Sequence, residues 1–197
     1  APPLLAEAEL ADYAPVHATF GDFVELAGYR IHNPEVSSDD SLRVTLAWRV
    51  LAQTSHDYEL RVKVFDRDAT LGEVWRYPGG GVLSTTTWQP GCLFAEEVSI
   101  PIRSESDDPR QAWLEVRYRG PIKAEVRDGQ GRSIGEALRV GGIKVRGEAG
   151  ESVPGSADGL QFGPAIRLVG GQAALSPIGS GWRVEVDLQW AAVQAPG

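Results

Sequence analysis

The feature that most restricts the fold of this chain is a segment that the sequence contains twice. Residues 20–53 read FGDFVELAGYRIHNPEVSSDDSLRVTLAWRVLAQ, and a related segment begins at Phe162 as FGPAIRLVGGQAALSPIGSGWRVEVDLQWAAVQ. The offset between the two copies stays at 142 residues, without a gap, to the end of the chain. Apart from Ser38 and Ser180, the identities fall on glycine, apolar and tryptophan positions, including Trp48 and Trp190. We interpret this as one complete module followed by the opening strands of a second.

Apolar and polar residues alternate through most of the chain, which is the pattern of β-strands with one buried face. Residues 42–50 and 58–65 are the clearest cases, and 94–102 and 112–118 repeat the pattern. Turn signals rich in Gly, Pro and Asp separate these stretches at intervals of about 8–12 residues. No stretch has a convincing helical period. The sequence therefore predicts an all-β protein, an antiparallel β-sandwich of the immunoglobulin-like or jelly-roll kind.

The composition of the connecting segments predicts four parts. These are a lead-in linker at 1–15, a complete β-sandwich module at 16–146, a Gly- and Ser-rich linker at 147–159, and a partial second repeat at 160–197. Two strands on their own are only marginally stable in water. We therefore expect residues 160–197 to be the truncated end of a longer chain and to dock on the first module or on a neighbouring molecule.

The net charge of −8 argues against a nucleic-acid partner, which would need a basic surface. No run approaches the roughly 18 apolar residues of a membrane span. The first residues lack the charged start and apolar core of a signal peptide. Cys92 is the only cysteine, so no disulfide can form within the chain, and we expect a buried or half-buried inert thiol.

The polar residues do not form a pattern typical of catalysis. A nucleophilic mechanism needs a Ser or Cys beside a His base and an orienting carboxylate, yet no G-x-S-x-G motif is present and the histidines fall near strand ends or in loops. The acidic pairs fall in loops and turns, where we expect solvated residues. We predict no catalytic residue, no cofactor and no metal. The residues considered were His17, His32, His56, Asp39, Asp40, Asp66, Asp68, Asp107 and Asp108.

The tryptophans give more information about a possible binding site than the histidines and acidic residues do. Trp48 and Trp190 lie on the apolar sides of corresponding strands, which predicts core positions. Four other aromatic residues alternate with polar neighbours, and an exposed ring beside Arg and Asp can hold a sugar by stacking and hydrogen bonds. The candidate ligand-binding residues are Trp75, Tyr77, Trp88 and Trp113. The alternative is that they pack on loops or on the rim of a second sheet.

The runs FGDFVELAGYRI, DSLRVTLAWRVLA, DYELRVKVFDRD, GVLSTTTWQPG and EEVSIPI resemble an accessory β-sandwich domain. This domain is found at the extracytoplasmic carboxyl end of bacterial membrane sugar transferases of the polyprenol-phosphate-mannose protein mannosyltransferase type, and in tandem on surface proteins without a transferase. The resemblance covers roughly 16–146 and restarts at 160–197. Residues 66–72 depart from the family's short Asp-Gly hairpin. The resemblance transfers no catalytic residue, because catalysis is expected in the membrane-embedded part of those enzymes.

The resemblance implies a non-catalytic extracytoplasmic module, membrane-tethered or at the cell surface. Such a module acts as a spacer, adhesion or glycan-recognition domain, with a glycan or a cell-surface protein as its partner. One alternative is a glycan-active enzyme domain, which needs a pocket with two carboxyl groups roughly 5–10 Å apart. A second alternative is a protein-binding sandwich. It follows from a weaker resemblance, through GEVWRY, to a small protease-inhibitor sandwich, and would use the exposed segment at 75–82.

Overall fold

The structure is a computed structural model that divides into two compact units, Ala1–Ala149 and Gly150–Gly197. Residues 2–67, 69–103 and 110–146 are described in full, and 161–162, 166–178 and 181–192 as backbone. The predicted linker at 147–159 lies outside the described residues, as do Asp68 and the acidic pair Asp107–Asp108. Among the described residues, no helix is both long and apolar enough to cross a membrane.

The described part of the first unit consists mainly of short strands. They are β1 (Ala14–Phe20), β2 (Val24–Ile31), β3 (Glu35–Ser37), β4 (Ser41–Val50), β5 (Glu59–Phe65), β6 (Thr70–Arg76), β7 (Leu93–Pro101), β8 (Arg110–Arg119), β9 (Val126–Arg127), β10 (Ser133–Gly135) and β11 (Leu138–Arg146). Helical structure in the described residues of this unit consists of the 3-10 helices Glu7–Asp12 and Thr85–Thr87 and the single turn α1 (Pro78–Gly81).

The strands form two sheets that pack face to face. Sheet A has the order β10-β9-β1-β2-β4-β7, and sheet B has the order β3-β11-β8-β5-β6. Neighbouring strands are antiparallel apart from β3 and β11, which are parallel. The prediction of an all-β antiparallel sandwich is confirmed.

The core lies between the sheets and follows the alternation of the sequence. In β4, Leu42, Val44, Leu46, Trp48 and Val50 are all buried, as predicted. The Trp48 ring packs edge-to-face on one aromatic ring from each sheet, with centroid distances of 5.5 Å to Phe20 and 5.2 Å to Tyr118. Aromatic contacts of this geometry add to the free energy gained by burial.

The segment predicted as a lead-in linker contacts sheet A. The backbone N–H of Leu5 donates to the carbonyl oxygen of Leu93, and that of Ala95 donates to the carbonyl oxygen of Pro3, so residues 3–5 pair with the edge strand β7. The 3-10 helix that follows is held to the outer face of sheet A by an ion pair between Glu7 and Arg49. The outer edge of β7, which carries unpaired backbone groups in an open sheet, is thereby partly covered.

The second unit pairs its strands in the same register as the first. It contains β12 (Gln161–Phe162), β13 (Ile166–Ile178) and β14 (Gly181–Ala192), all antiparallel. Leu168 pairs with Trp190, as Leu26 pairs with Trp48, and a register shift follows both leucines. Each of these residues has its counterpart 142 positions away.

Candidate ligand-binding face

The four aromatic residues singled out in the sequence lie in different surroundings. Trp75 on the edge strand β6 is 36% exposed, and Tyr77, just after the end of β6, is 41% exposed. Trp113 on β8 is half-buried. Trp88 is only 4% exposed and packs in the core, 5.2 Å from the Phe94 ring. The structure therefore leaves three of the four at the surface, whereas the Trp88 ring belongs to the core.

Strand alternation determines which side chains share the outer face of sheet B. Leu60, Val62 and Val64 of β5 point into the core, so the residues between them point outward. The register places Arg61 between Trp75 of β6 and Arg117 of β8. We call this outward surface the cation–aromatic face. Its members are Arg61, Lys63, Phe65, Trp75, Trp113, Arg117, Arg119 and Arg139.

Cations lie against two of the aromatic rings on this face, Trp75 and Phe65. The guanidinium carbons of Arg61 and Arg119 lie 4.8 and 5.2 Å from the centroid of the Trp75 ring. Lys63 and Arg139 each lie 4.8 Å from the centroid of Phe65. A cation over an aromatic face is attracted by the ring's quadrupole, by about 0.5–1 kcal/mol at exposed sites. The contacts therefore hold both the rings and the charged groups in place.

Carboxylates neutralise some of these cations. The Arg61 Nε donates to Glu73 Oε2 at 3.0 Å, and this hydrogen bond lowers the pKa of Glu73. The buried Glu115 is shared by Lys63 and Arg139, at 3.0 and 3.4 Å. These pairs leave two guanidinium groups of β8 without a close carboxylate.

Arg117 and Arg119 are those two groups. Arg117 reaches Glu136 only at 3.8 Å, and its Nε is buried without a hydrogen-bond partner among the described residues. Arg119 stacks on Trp75 and forms no ion pair with any described residue, including its cross-strand neighbour Glu59. Guanidinium groups offer several N–H donors in a fixed plane, which suits them to bind carboxylates in a bidentate manner.

A buried carboxylate on β7 was not identified as a special residue in the sequence. Glu96 is 2% exposed and lies on the core side of β7, where Arg76 Nη2 is 3.3 Å from its Oε1. Burial raises the pKa of Glu96, and Arg76 and the backbone N–H groups of Gly79 and Gly80 oppose this shift. Neither carboxylate oxygen reaches ideal hydrogen-bond geometry with a described group. The same surroundings raise the pKa of Tyr118, through burial first and the Glu96 charge second.

The surface cavities formed by described residues include three that we consider as sites. A cavity of about 390 Å³ lies beside Trp113, with the Asp66–Arg110 ion pair on its wall. An apolar cavity of about 230 Å³ includes Trp88 and the half-buried thiol of Cys92. A third, of about 260 Å³, contains Glu97 as its only carboxylate. None of the three has the pair of carboxyl groups that the enzyme alternative requires.

The histidines are not grouped. His17 Nδ1 lies 2.9 Å from Glu25, the Nε2 of His32 lies 2.7 Å from the Thr45 hydroxyl, and His56 lies in the loop before β5. Within residues 2–67, 69–103 and 110–146, no three His, Cys, Asp or Glu side chains come together as metal ligands would. In the described part of the chain, the cation–aromatic face is therefore our candidate binding surface, because it groups exposed aromatic rings with cationic side chains.

Comparison with known proteins does not assign the chain to a group. No protein-family model matches it, and no curated protein matches it either.

Proposed function

We propose that this chain is a non-catalytic glycan-recognition module and that the cation–aromatic face contacts the sugar. The observation that carries the proposal is the exposed Trp75 with two arginines held against its ring. Sugar rings present C–H groups on one side and hydroxyl groups at their edges. An aromatic ring packs against the C–H groups, and guanidinium N–H groups donate hydrogen bonds to the hydroxyl groups.

The rigidity of the face supports this function. The Trp75 ring is fixed by Arg61 and Arg119, and Arg61 is itself fixed by Glu73. A ligand that binds prearranged side chains loses less free energy to the ordering of rotamers. Tyr77 continues the alternation of β6 and makes no ring contact with another described residue. It therefore offers a second aromatic surface beside Trp75.

We place the module in an extracytoplasmic protein, either beside a membrane glycosyltransferase or in an array of repeated modules at the cell surface. The support for the repeated arrangement is the shared register of the two units, in which Leu26–Trp48 and Leu168–Trp190 are equivalent pairs. In such a protein the sandwich also acts as a spacer. The strand pair β13–β14 would then need further strands, because two strands on their own are only marginally stable in water.

A glycan array probed with the full chain tests the proposal. We expect wild type to bind a subset of the array and Trp75→Ala to lose about tenfold or more in affinity, because truncation of an anchoring aromatic commonly costs 2 kcal/mol or more. Tyr13→Ala is the matched control, because Tyr13 also stacks on an arginine, Arg30, at 4.7 Å, but next to sheet A. No binding anywhere on the array, or equal losses in both variants, would contradict the proposal.

A second candidate function, protein binding by an edge segment, is favoured by one observation. The segment after β6 contains the exposed Tyr77 and Val82, and Val82 is 84% exposed. Three consecutive glycines with positive φ, Gly79 to Gly81, turn the chain between them. Inhibition of a protease panel by wild type and not by Val82→Asp would favour this candidate, and no inhibition by wild type would exclude the inhibitor form of it.

A further inference from the structure

We infer that the ligand of the cation–aromatic face is an acidic glycan, whose sugar carboxylates bind Arg117 and Arg119. The inference rests on the proposed glycan recognition and narrows it to one class of sugar polymer. It follows from three observations: the charges on the face, the lack of a close carboxylate at either arginine among the described residues, and the position of the arginines beside the exposed aromatic rings.

The charge of the face differs from that of the chain. The chain has a net charge of −8. On the outer side of sheet B, however, the cations outnumber the carboxylates: Arg61, Lys63, Arg117, Arg119, Arg139, Lys144 and Arg146 against Glu35, Glu59, Glu73 and Glu115, with Glu136 at 3.8 Å from Arg117. A polyanion is repelled by the net charge of the chain and attracted locally by the excess of cations on this face. Charge complementarity of this kind selects the partner and the orientation of binding.

The two arginines are available to a ligand. Arg61 is committed to Glu73, whereas Lys63 and Arg139 are committed to Glu115. Arg117 has a carboxylate only at 3.8 Å, and its side chain is 29% exposed. Arg119 stacks on the Trp75 ring and forms no ion pair within the part of the chain that the structure describes. A carboxylate that binds them gains charge-assisted hydrogen bonds without breaking a close ion pair.

The position of the arginines fits a sugar with a carboxylate at its edge. Arg117 and Arg119 are two positions apart on β8, so they project from the same face about 7 Å from each other. Arg119 also touches Trp75. A sugar ring at Trp75 therefore brings its edge to Arg119, and the next acidic sugar of the polymer can reach Arg117.

Oligogalacturonate and its fully methyl-esterified form test the inference, because esterification removes the charge and keeps the sugar chain. We expect calorimetry with the full chain to show binding of the acid that is at least tenfold tighter than that of the ester. Arg119→Gln and the double variant Arg117→Gln/Arg119→Gln should lose this preference. The single variant changes an exposed residue, so it remains informative if the double variant fails to fold.

The matched control is Arg127→Gln/Arg132→Gln, which removes the same charge from exposed arginines at β9 and the following turn. If the control and test variants weaken binding of the acid equally, the attraction is nonspecific and the inference is overturned. The same conclusion follows if dextran sulfate binds wild type and both double variants with equal affinity. If the acid and the ester bind with equal affinity, and only Trp75→Ala weakens binding, the inference is overturned and the proposal of glycan recognition is retained. No binding of any glycan on the array or of either polymer by wild type would overturn both.

Discussion

Glu96 is a carboxylate on the core side of a strand whose other inward residues, such as Phe94 and Val98, are apolar. An ionised group in such a place is stabilised only if the protein replaces the water it has lost. Here Arg76 and the N–H groups of the Gly79–Gly80 turn take that role. The positive φ of both glycines, 67° and 76°, is a conformation that other residues adopt at a cost. The Pro-Gly-Gly-Gly sequence thus forms the turn after β6 and also directs backbone N–H groups toward the Glu96 carboxylate.

Replacing Glu96 with Gln should change how stability depends on pH. Burial raises the pKa of Glu96 above its usual value of 4.5, so on raising the pH the unfolded chain loses this proton before the folded chain does. The contribution of Glu96 to the free energy of unfolding is thus fully present below about pH 4.5 and is lost as the pH rises through the folded-state pKa. Urea unfolding from pH 4 to 8 should show the difference, wild type minus Glu96→Gln, falling with pH.

Glu97→Gln, on the exposed outer side of the same strand, is the control for this experiment and should have the smaller effect on stability. A wild-type-minus-variant difference that rises with pH for Glu96→Gln would contradict the account, because it would mean that the fold prefers the ionised form.

At the scale of elements, alternation made the long strands predictable. The inward residues predicted in β4 and β5 are the buried ones. The shorter strands β1 and β3 were missed for physical reasons. β1 contains Pro15 and a His17 with φ of 56°, so its pairing with β2 shifts register and its apolar pattern is broken. β3 has three residues and is fixed by pairing with β11, more than 100 residues away.

The amino-terminal segment gives a prediction about an edge. Deleting residues 1–5 removes the two backbone hydrogen bonds to β7 and uncovers the apolar cavity that includes Pro2 and Leu4. We expect a loss of about 1–3 kcal/mol in the free energy of unfolding, from two bonds of about 0.5–1.5 kcal/mol each. An uncovered edge strand also pairs with other chains. Sedimentation velocity should therefore detect self-association of the deletion variant.

Leu4→Ser tests whether the backbone or the side chain protects the edge. It keeps both hydrogen bonds, and Leu4 is largely exposed, so it should stay monomeric and close to wild type in stability. Self-association of Leu4→Ser to the same extent as the deletion variant would contradict the proposed role of the backbone pairing.

At the scale of the whole molecule, the sequence predicted the aromatic members of the candidate face better than the cationic ones. The surface positions of Trp75 and Trp113 follow from local alternation, as does that of the neighbouring Tyr77, whereas Phe65 was not singled out. The contact of Trp75 with Arg119 depends on β5, β6 and β8 being neighbours, and β8 begins 45 residues after β5 ends. Trp88 lies in a turn, where alternation gives no information, and only tertiary packing decides that its ring is buried.

The indole N–H signals of the tryptophans test the central claim, that a glycan contacts the cation–aromatic face, most directly. In a nitrogen-15 NMR titration of the full chain with the tightest-binding glycan from the array, Trp75 should shift in proportion to saturation. The core residues Trp48 and Trp88 are internal controls and should remain unchanged. A saturating ligand that leaves the Trp75 signal where it was would contradict the account.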